Sequence, residues 1–145
     1  MAFVVWLTGL PGAGKSTIAC ELLKIFESES VSIRYIRLDE IRRLMAPQPT
    51  YDERERDIVY RAYVLIAKFL YEEEVNVLLD ATAHKRKWRE LARSLVKNFF
   101  EVYVKCPIEI CIEREMSREQ NLVRRRIYID AFERLRNGRR ISGLG

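Results

Sequence analysis

Gly9-Leu10-Pro11-Gly12-Ala13-Gly14-Lys15-Ser16 has the spacing G-x-x-x-x-G-K-[ST] and stands between an apolar run, Phe3-Val4-Val5-Trp6-Leu7, and a segment of helical periodicity beginning near Lys15. A strand before this pattern and a helix after it are the context in which it binds phosphate rather than simply turning the chain. The glycines allow a tight turn that aims successive N–H groups inward, and the following helix adds the positive end of its dipole. Lys15 supplies a cation for the β- and γ-phosphates, and Ser16 is left to hold Mg²⁺. Gly9, Leu10, Pro11, Gly12, Ala13, Gly14, Lys15, Ser16 and Thr17 are therefore the predicted ATP site. An ordinary glycine turn is the competing interpretation, and the flanking strand and helix count against it. Gly9, Gly12 and Gly14 read G-x-x-G-x-G, which is not the dinucleotide fingerprint.

The 145 residues suit one domain, residues 1–145, able to fold without disulfide or metal staples. Cys20, Cys106 and Cys111 have neither paired spacing nor metal-ligand spacing with the single histidine, His84. They read as reduced, mostly buried thiols in a cytoplasmic protein. The apolar start runs straight into the phosphate loop instead of a cleavage site, so no signal peptide is expected, and no run approaches the ~18 apolar residues of a membrane span. The net charge of +5 comes from 26 basic and 21 acidic residues, with the excess concentrated between Lys85 and Arg93 and between Arg114 and Arg140. A polyanionic small molecule accounts for that distribution, and nucleic acid is the less favoured partner.

Strand and helix patterns alternate. Residues 2–8, 32–38, 75–79 and 99–105 read as strands. Helices are expected from Lys15 to about Glu27, from Asp39 to Met45, over 52–72, over 84–97, and from Pro107 onward. The expected buried stripes are Ile18, Leu22, Ile25 and Phe26 on the first helix, and Ile58, Val59, Ala62, Leu65, Ile66, Phe69 and Leu70 on the helix over 52–72. Trp88, Leu91, Ala92, Leu95 and Val96 should face the core, with Lys85, Arg86, Arg89 and Arg93 mostly outside. This pattern predicts an α/β three-layer fold of the phosphate-loop NTPase type, resembling nucleoside monophosphate kinases. Its parallel sheet should have at least four strands in the order 2-3-1-4, with a ligand crevice at their carboxyl ends and a C-terminal lid over about 116–127.

The strand ends carry the remaining candidates. Asp39 and Arg42, one helical turn apart, suit a proton acceptor for an attacking hydroxyl and a clamp on the acceptor's anionic group; a helix cap with a surface arginine is the alternative. Asp80 ends the third strand, where it could orient Mg²⁺ through water or brace Ser16 and Lys15, or simply cap a turn. His84 reads as a surface or helix-start residue, and Tyr60 and Tyr63 as core; Tyr51, in the loop, is the aromatic ligand candidate. Arginines from Arg114 through Arg124, Arg125 and Arg126 suit a lid over transferring phosphates, against a solvated charged helix as the alternative. Asp80-Ala81-Thr82-Ala83 lacks the glycine of a D-x-x-G switch and no N-K-x-D signature is present, which argues against a GTPase.

Together, GLPGAGKST, LDEIR (38–42), DATA (80–83), VKCPIEICIERE (104–115) and ISGLG (141–145) resemble the adenylylsulfate kinases. That resemblance implies transfer of the ATP γ-phosphate to the 3′-hydroxyl of adenosine 5′-phosphosulfate, with ATP and Mg²⁺ as cofactors and a homodimer as an expected assembly. By similarity, Asp39 and Arg42 match the second aspartate and the arginine of the family's D-G-D-N-V-R motif. Arg56 matches the arginine of D-R-x-E-N, which helps hold the acceptor. Arg114, in the 104–115 segment, is a further expected nucleotide contact, and Ile141 takes the place of a phenylalanine that stacks on the acceptor's adenine. Arg37-Leu38 replaces Asp-Gly, and Val59 replaces the asparagine of D-R-x-E-N. The sequence ends at Gly145, short of the family's final strand and helix, as in a truncated or minimal member. D-x-x-R and DAT followed by a basic helix also resemble polynucleotide and aminoacyl-tRNA kinases, and a non-catalytic nucleotide-binding module is a third reading.

Overall fold

The nine elements that place the site follow in chain order, and the computed structural model describes residues 1–117. They are β1 (Val4–Thr8), α1 (Lys15–Ser28), β2 (Ile33–Arg37), α2 (Leu38–Met45), α3 (Glu53–Glu72), β3 (Asn76–Asp80), α4 (Arg86–Leu95), β4 (Phe99–Tyr103) and α5 (Ile108–Met116). The sheet is parallel throughout, in the order β2-β3-β1-β4. Helices cover both faces, as parallel strands joined by helical crossovers require. One core joins Val4, Trp6, Val77 and Leu79 to α3 and α4, and the other joins Leu7 and Leu78 to Ala19 of α1 and Cys111 of α5.

Individual boundaries differ from the sequence reading in ways that bear on the site. Leu38 begins α2 instead of ending β2, so Asp39 sits in a first helical turn, where a carboxylate is favoured by the dipole. β3 starts at Asn76 rather than at residue 75 and ends on Asp80 as expected, and Pro107 is the N-cap of α5 rather than its first helical residue. Asp52 caps α3, its side chain accepting from the Glu55 N–H at 2.8 Å.

The buried stripe of α3 is rotated from the expected one. Val59, Tyr60, Tyr63, Val64 and Ala67 are buried, whereas Ile58, Leu65 and Phe69 are about half exposed. Tyrosine can replace aliphatic side chains there because each hydroxyl finds a backbone partner. Tyr63 donates to the Ile36 carbonyl (2.6 Å) and accepts from the Asp80 N–H (2.8 Å), and Tyr60 accepts from the Ala83 N–H (2.8 Å). The Tyr60 ring stacks on Trp88 at 3.9 Å, and Tyr63 meets Trp6 edge-on at 5.6 Å. On α1 the buried side is Ala19 with Leu22 and Leu23 packed beside it, leaving Ile18 and Ile25 exposed.

Arg89 is a further correction: it is buried rather than outside, because Glu101 on the edge strand β4 points toward α4 and pairs with both Arg89 and Arg93. Of the cysteines only Cys111 is buried; Cys106 is partly covered and Cys20 is exposed on α1. Among the described residues no helix is long and apolar enough to cross a membrane.

Candidate active site at the carboxyl edge of the sheet

Parallel pairing sets Leu7, Asp80 and Arg37 in one row across β1, β3 and β2. The residues that follow, the phosphate loop after β1 and Asp39 after β2, therefore emerge on a single rim. This is where open parallel sheets present ligands.

The loop is held from behind by α5. Gly12 has φ +82°, and a Cβ there would stand 2.6 Å from the Cys111 carbonyl oxygen. Gly14, at φ +101°, ends the loop in a left-handed conformation as the N-cap of α1. No side chain among the described residues caps that helix, so its first N–H groups face the loop. Lys15 is buried and arches across the mouth, donating to the carbonyls of Gly9 (2.8 Å) and Leu10 (2.9 Å). Leu10 and Ala13 anchor the loop in the second core, whereas Thr17 is exposed on the first turn of α1. Arg114, exposed on α5, donates to the Gly12 carbonyl at 3.0 Å. Burial pushes the neighbouring Cys111 thiol up to about 11, helped by the Cys106 side chain, so Cys111 behaves as packing at physiological pH.

Ser16 Oγ donates to Asp80 Oδ2 at 2.9 Å. A hydroxyl has one proton and two lone pairs, so spending the proton on Asp80 leaves oxygen lone pairs for a cation. A serine oxygen backed by a carboxylate is a hard-oxygen donor set of the kind Mg²⁺ accepts, alongside water and phosphate. Tyr35 of β2, unmarked in the sequence reading, also donates to Asp80 Oδ2, at 2.6 Å. Burial and the Asp80 carboxylate both raise the Tyr35 pKa, so the phenol stays a donor. The available signal was strand parity: Tyr35 pairs with Leu78, and Leu78 and Asp80 share a face.

The second cluster lies around Tyr60. Arg42 and Arg56 are 8% and 5% exposed, unusual for guanidinium groups. Arg42 Nη1 is 3.8 Å from Asp39 Oδ1, and its guanidinium lies over the Tyr51 ring at 4.9 Å. Among the described residues the buried Arg42 Nε has no hydrogen-bond partner. The charges of Arg42, Arg56 and Asp39 all reach the Tyr60 hydroxyl, whose pKa is raised chiefly by burial. Val59, at the position of the family's asparagine, is buried in the core.

The 80–83 loop is braced through several of its backbone groups. The Ala81 carbonyl accepts from Trp6 Nε1 (3.2 Å), the Thr82 carbonyl accepts from Thr8 Oγ1 (2.7 Å), and Ala83 adopts φ +46°. A non-glycine residue at positive φ persists only where its surroundings hold it, which here they do. His84 follows, edge-on to Trp88 at 5.0 Å. Ile141, Arg124, Arg125, Arg126, the 141–145 ending and the lid segment beyond Ser117 lie outside the described residues.

The profile of the adenylylsulphate kinase family matches residues 1–128. The chain belongs to the adenylylsulphate kinase family. A probable adenylyl-sulfate kinase of Archaeoglobus fulgidus is 36% identical over 115 residues, covering 79% of this chain and 74% of the relative. An adenylyl-sulfate kinase of Halothermothrix orenii is 31% identical over 112 residues, covering 77% of this chain but only 60% of the relative. In three dimensions the chain is similar to the Mycobacterium tuberculosis APS kinase solved in complex with AMPPNP and APS. There the TM-score is 0.73 at 24% identity, over 94% of this chain and 75% of that one. At that identity the likeness establishes the fold alone, an α/β architecture around the parallel β2-β3-β1-β4 sheet.

Proposed function

We propose that this adenylylsulphate kinase family member transfers the ATP γ-phosphate to the 3′-hydroxyl of adenosine 5′-phosphosulfate. The observation that carries the reading is the pair of buried arginines, Arg42 and Arg56, gathered with Asp39 on the same rim as the phosphate loop. Two guanidinium groups on the rim that also carries the phosphate loop can hold an anion through paired, charge-assisted hydrogen bonds, and a 5′-phosphosulfate offers the oxygens for them. The M. tuberculosis neighbour, solved with a nucleotide triphosphate analogue and APS, supports the same pairing of ligands.

Each residue then has a role set by its chemistry. The N–H groups of the loop and of α1 hold the donor's phosphates, and Lys15 exchanges its carbonyl partners for phosphate oxygens, placing its charge where negative charge builds up during transfer. Ser16, oriented by Asp80, would hold Mg²⁺. Bound there, the ion would supply positive charge against the negative charge of the phosphates during transfer. Arg42 and Arg56 fix the acceptor, and Asp39 accepts the proton of its 3′-hydroxyl as that oxygen attacks phosphorus in line with the departing diphosphate oxygen. Gly9 to Thr17, Arg114 and Ile141 complete the proposed contacts.

Transfer of label from [γ-³²P]ATP tests the reading. Adenosine 5′-phosphosulfate, RNA 5′-ends and tRNA are offered in parallel at equal concentration. Label is expected in the sulfate nucleotide; label in RNA or tRNA alone would replace this acceptor with a polynucleotide hydroxyl. Label in none of them, with ATP bound, would leave a nucleotide-binding module.

A further inference from the structure

Asp80 is gripped at two points by tyrosines from different elements. Tyr35 of β2 donates to Oδ2 of its carboxylate at 2.6 Å, beside the Ser16 hydroxyl at 2.9 Å, and Tyr63 of α3 accepts from its backbone N–H at 2.8 Å. Tyr63 also donates to the Ile36 carbonyl at 2.6 Å, so one hydroxyl ties the end of β3 to the residue beside Tyr35 on β2. Three hydroxyls from three elements, those of Ser16, Tyr35 and Tyr63, thus hold Asp80 by its carboxylate and its backbone.

We propose that Tyr35 is a positioning residue that holds the Asp80 carboxylate against Ser16 and so sets how strongly the phosphate loop binds a nucleotide-bound divalent cation. With its single proton held on Asp80, Ser16 keeps a fixed orientation in which its lone pairs are left for a cation. An aspartate side chain has two rotatable bonds, and a carboxylate held by Ser16 alone can swing and carry the serine with it. A phenol donor on the same oxygen removes that freedom, as outer partners of metal ligands generally do; losing such a partner costs about 10–100-fold in metal affinity.

The proposal rests on the nucleotide reading, and the test separates the two. Binding of the non-hydrolysable analogue β,γ-imido-ATP is measured by calorimetry with saturating Mn²⁺ and again in EDTA. In the wild-type chain Mn²⁺ should strengthen binding. In Tyr35→Phe that gain should shrink about tenfold while binding in EDTA is unchanged. Tyr71→Phe, which alters a hydroxyl at the far end of α3 bonded to the Asn98 N–H, should keep the full gain. In an Asp80→Asn background, Tyr35→Phe should cost nothing more, since the tyrosine acts through the carboxylate. An equal Mn²⁺ gain in wild type and Tyr35→Phe overturns the positioning role alone. An equal loss with and without Mn²⁺, or failure of Tyr35→Phe to fold, would make the hydroxyl a general structural bond and also overturn it. No analogue binding by the wild-type chain under either condition would remove the nucleotide reading and the proposal with it.

Discussion

Gly12→Ala should destabilise the nucleotide-free protein substantially more than Gly14→Ala, although both put a methyl group into the same loop at positive φ. At Gly14, φ +101°, the nearest atom to the new Cβ is the Arg114 Nη1 at 3.8 Å, an ordinary contact with the end of a flexible side chain. The cost there is backbone strain, about 1–2 kcal/mol for an L-residue in a left-handed conformation. At Gly12, φ +82°, the same strain applies, but the Cβ also meets the Cys111 carbonyl oxygen at 2.6 Å and Cys111 Cα and Glu115 Cγ at 3.2 Å. The first two belong to helical backbone that yields only if α5 moves, and overpacking of this kind adds about 1–3 kcal/mol. The loss of unfolded-chain entropy on going from glycine to alanine, about 0.4–1 kcal/mol, is common to both and cancels in the comparison. The difference, about 1–3 kcal/mol, corresponds to about 2–12 °C in Tm for a domain of this size. Calorimetric melts without nucleotide read it directly, unaffected by phosphate binding. Equal melting temperatures for the two variants would refute the packing of the loop against α5.

Lys15→Ala should abolish phosphoryl transfer and weaken ATP binding, whereas Asp39→Asn should lower kcat by about 10²–10⁴ with ATP affinity retained; unchanged kcat in Asp39→Asn removes it as the base. Tyr63→Phe leaves the buried Ile36 carbonyl and Asp80 N–H without their partner and should cost about 2–4 kcal/mol in urea denaturation, against less than about 1 kcal/mol for Tyr71→Phe, whose bond to Asn98 is 3.4 Å long. The hydrogen bond from Trp88 Nε1 (2.9 Å), then Lys87, holds the Asp57 carboxyl below its usual 3.8. A depressed folded-state value means that its stabilisation is complete above the unfolded value and is lost as pH falls through the folded one. Asp57→Asn should therefore flatten the dependence of unfolding free energy on pH below about pH 4, and an unaltered slope between pH 2 and 4 would count against that bond.

The parts of the site that could be seen in the sequence are those whose geometry is local. The phosphate loop is one contiguous turn between a strand and a helix, and Asp39 with Arg42 lies within one helical turn. Alternation of strand and helix was enough for a parallel sheet. On α3, Tyr60 and Tyr63 are core as their helical spacing indicated, held by hydroxyl partners on β2 and in the 80–83 loop, whereas Ile58, Leu65 and Phe69 were assigned to the core by type and are about half exposed. Arg89 was assigned to solvent for the same reason, its partner Glu101 lying on a different element. Tyr35 escaped notice because its partner, Asp80, is 45 residues away in the chain.

What this sequence determined by itself is the chemistry available: a loop able to hold phosphates, a cation at Lys15, carboxylates at strand ends and arginines one turn beyond. Those follow from short-range spacing, which a chain carries wherever it folds. Tertiary structure alone decided which groups face one another. Register brings Leu7, Asp80 and Arg37 into one row, α5 backs Gly12, and packing buries Arg42 and Arg56. Pairing across strands and the withdrawal of charge from water depend on distances between residues far apart in sequence, and no local pattern encodes them.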